Sequence, residues 1–149
     1  MGIRFHKPTS PGRRGSSTDD YRDLTAKKPL KRLTVALKKH GGRNQQGKIT
    51  VRHQGGGNRQ RYRLVDFHQM QFEKPARVVT IEYDPNRTAR IALIEFADKN
   101  VTYILAPDGL QVGDTIVSSL NKVEVRAGNR MPLKYIPAGM DIHNVEFFP

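Results

Sequence analysis

The densest set of chemically capable residues lies between Arg52 and Arg63. There Arg52, Arg59, Arg61 and Arg63 surround Gly55, Gly56 and Gly57. A guanidinium is a planar fork of N–H donors that grips phosphate and stacks on bases. Three consecutive glycines remove side-chain bulk, so backbone can lie against a sugar-phosphate chain. His53 and Tyr62 add aromatic faces on which an unpaired base can stack. This chemistry is polyanion binding rather than bond-making. The bland alternative is a flexible hinge, but the density of Arg favours contact.

Upstream, Gly42-Arg43-Asn44-Gln45-Gln46-Gly47-Lys48 comes close to a nucleotide-binding phosphate loop. The Mg²⁺-binding hydroxyl should follow at position 49, which is Ile, and Ile49-Thr50-Val51 reads as strand where a helix is required. Gly and Arg here suit close backbone approach to phosphate without a nucleotide pocket. His6, His40, His53, His68 and His143 are scattered, with no HExxH spacing, and there is no Cys. Ser118 and Ser119 lack a nucleophile elbow. The acids Asp66, Glu82, Asp84, Glu95, Asp98, Asp108 and Asp114 fall at expected turns or wet strand faces. An enzyme acting on nucleic acid would need carboxylates converging on Mg²⁺, with Asp84 and Asp98 as the pair to examine. Nothing else singles out a catalytic group. The expectation is no enzyme, no metal and no cofactor.

The elements that must position these residues follow from charge and pattern. The 149-residue chain carries 26 Lys or Arg against 14 Asp or Glu, a net +12. Residues 1–63 hold 17 Lys or Arg against three acids, a net +14; the remainder is net −2. That asymmetry describes a basic arm beside a near-neutral domain, with nucleic acid as the partner class. Nine of the 13 glycines fall within the first 57 residues, and Pro8, Pro11 and Pro29 break any helix there. Little independent structure is expected before about residue 60, beyond a short strand over 48–52. No 18-residue apolar run, secretory h-region or amphipathic apolar stripe points to a membrane.

The second block reads as all-β. Strands are expected over 76–83, 88–96, 101–106, 114–118 and 122–125, with turns at Asp84-Pro85-Asn86-Arg87 and Ala97–Asn100. Five short antiparallel strands fit an OB-fold barrel, with an SH3-like barrel as nearest competitor. Phe67, Phe72, Tyr83, Phe96 and Tyr103 are assigned to its core or wall. Residues 141–149 look like the first strand of something further, ending on an apolar edge that would need a partner.

Several irregular runs then resemble one family. They include Lys7-Pro8-Thr9-Ser10-Pro11-Gly12-Arg13-Arg14, Gly47-Lys48-Ile49-Thr50-Val51-Arg52-His53 and Gly55-Gly56-Gly57 through Tyr62-Arg63. Tyr83-Asp84-Pro85-Asn86-Arg87, Tyr103-Ile104-Leu105-Ala106-Pro107 and Ile136-Pro137 through Val145-Glu146 continue the match in order. The chain resembles the N-terminal half of the bacterial-type large-subunit ribosomal protein family numbered two. The resemblance implies a basic rRNA-binding extension over 1–60, an OB-fold over 61–127 and the start of an SH3-like barrel over 128–149. It implies large-subunit rRNA and neighbouring ribosomal proteins as partners, in a bacterial or organellar ribosome. It also implies roles in assembly, subunit association and support of the peptidyl-transferase region. Arg13, Arg14, Arg43, Lys48, Arg52, His53, Gly55, Gly56, Gly57, Arg59, Arg61, Tyr62 and Arg63 become candidate RNA contacts, with Arg87 a weaker one. The family continues well beyond residue 149, so the rest is expected on a separate chain or lost by truncation. The alternative reading is a free OB-fold RNA-binding or translation factor.

Overall fold

A computed structural model describes residues 2–147. Phe148 and Pro149, the end of the strand expected over 141–149, lie outside the described residues. Regular structure among these residues is β, apart from single 3₁₀ turns at Lys31–Leu33 and Leu133–Tyr135. In chain order the strands are β1 (Ile3–Phe5), β2 (Ser17–Asp19), β3 (Thr34–Ala36), β4 (Arg61–Arg63), β5 (Ala76–Glu82), β6 (Ile91–Phe96), β7 (Val101–Leu105) and β8 (Thr115–Ile116).

The main sheet is antiparallel in the order β7-β6-β5-β8. Its strands are rich in β-branched residues that suit a pleated, half-buried surface. In β5, Ala76 and Val78 face the core while Arg77 and Val79 face out. The register slips between Val78 and Thr80, and beyond that bulge Ile81 and Glu82 are both buried. The sheet curls into a half-barrel around Val78, Ile81, Ile94, Phe96, Ile104, Leu110 and Ile116.

The segment 65–72 spans the open side. Val65 bridges in parallel to Tyr103 at one sheet edge, and Phe72 bridges in parallel to Ser118 beyond the other. Asp66 N–H donates to the Tyr103 carbonyl and Glu73 N–H to the Ser118 carbonyl, each at 2.8 Å. Both edges are thereby capped, and the architecture is compatible with an OB-like all-β fold.

Three expected elements differ. Residues 122–125 form no strand. The groups they would pair with are taken: Val117 N–H donates to the Asn129 side chain, Arg130 N–H donates to the Val117 carbonyl, and Ser119 N–H donates to the Arg130 carbonyl. Residues 141–147 are irregular, held by side chains instead of a ladder. Arg130 meets Glu146 at 2.8 Å, the Asn144 amide donates to the Phe67 carbonyl, and Asn144 has φ +51. The strand expected over 48–52 reduces to one bridge, Arg43 to Ile49, because Thr50 and Val51 N–H both fold back onto the Gly42 carbonyl.

The first 60 residues carry more structure than their composition suggests. β1 pairs with β2, and β3 with β4. The stretch around 19–30 is pinned to the half-barrel. Arg90, only 6% exposed, donates to Asp23 at 2.9 Å and also to Asp19, and its guanidinium lies over Tyr21 and Tyr83. Thr25 exchanges hydrogen bonds with Ile81. The Arg90 guanidinium holds the Asp23 carboxyl below its ordinary range. Asp19 is lowered first by the Tyr21 N–H and then by Arg90.

The aromatic assignments divide. Phe96 and Tyr103 are buried and Phe72 is half-buried, but Phe67 is 38% and Tyr83 42% exposed. Arginines cover those two rings instead of the core: Arg87 over Phe67 at 5.6 Å and Arg90 over Tyr83 at 5.9 Å. Glu82, expected on a wet strand face, and Asp84, expected at a turn, are both buried.

Tyr103 joins the two parts most directly. Its hydroxyl accepts from Leu30 N–H and donates to Glu82, each at 2.9 Å. Burial pushes its pKa up to about 12. The folded state therefore favours the neutral phenol. That stabilisation is complete below pH about 10, the unfolded value, and is lost as pH rises toward about 12. Tyr103→Phe should cost about 1–3 kcal/mol, since the buried Glu82 carboxylate and the Leu30 N–H, whose bond is half-buried, lose their partner. It should also flatten the fall in urea midpoint expected of the parent chain between about pH 10 and 12.

Candidate nucleic-acid interface

β4 carries Arg61, Tyr62 and Arg63, and its register against β3 pairs Tyr62 with Val35. The turn after β5 sets what these side chains can do. Asp84, fully buried, opens it as the first residue of an Asx turn. Its Oδ1 accepts from Asn86 N–H at 2.9 Å and from the Asn86 amide at 3.1 Å, and its Oδ2 accepts from Arg87 Nε at 2.6 Å. The Asn86 amide also donates to the Arg61 carbonyl at 2.8 Å, and the Gln60 amide donates to the Pro85 carbonyl at 3.3 Å. The turn is a clamp on the strand bearing the arginines.

The clamp separates the β4 residues by role. Arg61 and Tyr62 stand exposed. Arg63 is 8% exposed, with its guanidinium donating to the Arg61 carbonyl at 2.9 Å and lying 4.0 Å from Asp84. Arg87 is held by Asp84 and lies over the Tyr62 and Phe67 rings. Arg63 and Arg87 thus position their neighbours, while Arg59 and Arg61 face solvent.

The loop before β4 folds without an apolar core. The Gly42 carbonyl accepts from Thr50 N–H, Val51 N–H and Thr50 Oγ1. A Cβ on Gly42, at φ +70°, would sit 2.0 Å from the Val51 carbonyl oxygen, so only glycine closes this loop. Asn44 Oδ1 accepts from Gln46 and Lys48 N–H, turning the tip. Arg43, Lys48 and Arg52 project from it, exposed. His53 has φ +62°, and Gly55, Gly56 and Gly57 follow with φ +116°, +75° and +75°, an exposed glycine backbone. Arg13 and Arg14 belong to a separate feature, the exposed turn that joins β1 to β2.

Among the described residues, Arg13, Arg14, Arg43, Lys48, Arg52, Arg59 and Arg61 have no carboxylate partner. The Asp84 and Asp98 carboxylates each have their own cation: Arg87 holds the first and Lys74 lies 3.8 Å from the second. Asp84 and Asn86 were not among the expected site residues. The Asp-Pro-Asn-Arg turn was visible in the sequence, but its grip on a strand more than 20 residues earlier was not.

An all-β domain with unneutralised arginines beside bare glycine backbone is of the nucleic-acid-binding class. Residues 30–118 match the family described as ribosomal proteins L2, RNA-binding N-terminal domain. The chain belongs to that family: it is a ribosomal protein that binds RNA, in a structural rather than a catalytic class. The match runs from the residue whose N–H binds Tyr103 to the residue that pairs with Phe72. It takes in the clamp and every candidate contact from Arg43 to Arg87, while Arg13 and Arg14 precede it.

Asp84→Ala should cost about 3–5 kcal/mol in urea unfolding, because it strands the buried Arg63 and Arg87. Arg61→Gln, at an exposed position, should change stability by no more than about 0.5 kcal/mol. The same pair measured for RNA affinity should both show losses, separating positioning from contact.

Proposed function

We propose that this protein is a structural constituent of the large ribosomal subunit. It binds large-subunit rRNA through its basic extension and half-barrel, and supports assembly, subunit association and the peptidyl-transferase region. The observation that carries this reading is the set of seven exposed cations without a carboxylate partner among the described residues, in a chain of the L2 family. Each such cation releases counterions when it meets phosphate, and that release offsets the entropy of ordering the loops. A-form RNA displays shape and 2′-hydroxyls more than base edges, so short loops of Arg and Gly suit it better than a recognition helix.

In this reading residues 1–60 form the rRNA-binding extension, 61–127 the OB domain and 128–149 the beginning of an SH3-like domain. The compartment is the cytoplasm of a bacterium or the interior of an organelle.

In a sucrose gradient the protein should migrate with the large subunit and leave it at high salt or after ribonuclease. Migration only at the top would overturn the structural role and favour a free RNA-binding factor. Replacing Arg52, Arg59 and Arg61 by Gln should weaken binding to isolated rRNA and lower the log–log salt slope by about 2–3. An unchanged slope would remove these residues from the interface.

A further inference from the structure

The clamp leaves a cleft of about 500 Å³ between Pro29 on the arm and Pro85 on the turn. Asn58, Arg59, Gln60, Arg61 and the buried Arg63 line it together with the two prolines. We infer that this cleft takes one unpaired nucleotide of an RNA strand. The inference rests on the RNA-binding reading above and names the part of the ligand that this site would hold.

The volume falls in the range of a small-molecule site and is too small to admit a duplex. Its lining combines the chemistries that a nucleotide calls for. Pro29 and Pro85 lack N–H groups and offer flat apolar surface to a base or sugar. Arg59 and Arg61 are exposed guanidiniums without carboxylate partners among the described residues, suited to the flanking phosphates.

The amides provide the edge contacts. Gln60 gives its N–H to the Pro85 carbonyl, which leaves its oxygen as an acceptor at a fixed position. Asn58 is exposed and offers a donor and an acceptor together. Arg63 Nε, buried, has no hydrogen-bond partner in the described chain. The nearest carboxylate, Asp84, is held by Arg87, so the cleft keeps its positive character. A simple anion would use the guanidiniums but neither the amides nor the proline walls.

The test is chemical probing of large-subunit rRNA bound to the full chain, read at base edges and at the backbone. The parent chain should protect one unpaired base within its footprint. Asn58→Trp fills the cleft and Asn58→Asp places a carboxylate in it; position 58 is exposed, and thermal unfolding reports whether each variant folds. Both should lower affinity about five-fold or more, in the range of one lost base contact. At saturating protein both should re-expose that base while the remaining backbone protections persist. Arg59→Gln should instead weaken binding uniformly and lower the salt slope by about one. The inference fails if the parent chain protects no unpaired base, or if both position-58 variants keep that base protected. No footprint at all would bring down the RNA-binding reading itself.

Discussion

A carboxylate with no exposed surface must be neutralised where it sits, and Asp84 meets that demand with groups that also hold the strand before the half-barrel. One oxygen organises the Asn86 turn and the other takes Arg87. Asn86 and Pro85 then reach across to the backbone of Arg61 and the side chain of Gln60. The exposed arginines of β4 inherit their placement from a residue that never meets solvent. Burial of an ion pair adds little net stability, but removing one member is costly. The intact Asp84 network therefore fixes where things point, and the chain depends on it chiefly because the buried arginines cannot be left without it.

The same economy of charge governs the arm. Its three acids are all engaged locally or on the half-barrel: Asp19 and Asp23 with Arg90, and Asp20 with Arg22 at 3.1 Å. The rest of its positive charge faces outward. Tyr103 and Thr25 add neutral hydrogen bonds at the same seam, where salt screening has little effect. The arm is anchored at the stretch richest in acids and left free where it is richest in arginine.

Composition and period-2 patterning made the main sheet legible. β5, β6, β7 and β8 lie where their β-branched runs placed them, and the two turns between them follow Pro, Asn and Asp. Patterning could not reveal which backbone groups were already taken. Lys122–Val125 looks like a strand, yet Asn129 and Arg130 occupy the positions it would need. Side-chain environment was equally hidden: Phe67 and Tyr83 read as core because aromatics usually are, and guanidiniums cover them here. In the candidate site the cations were visible as residue types. Arg63 could not be told from Arg61, because the partner that draws it inward lies 21 positions later.

Arg90 also sets a sequence of events in time. It follows Asp23 by 67 positions. At about 5–20 residues per second, a ribosome making this chain releases the arm roughly 3–13 s before its anchor exists. During that interval the newborn segment is a loose polycation with no sheet to lie on. Whatever polyanion stands nearest meets it first, and the anchor must later compete with that early occupant. Vectorial synthesis thus makes the order of the two halves along the gene a physical variable: the same residues with the half-barrel first would never pass through that unanchored state.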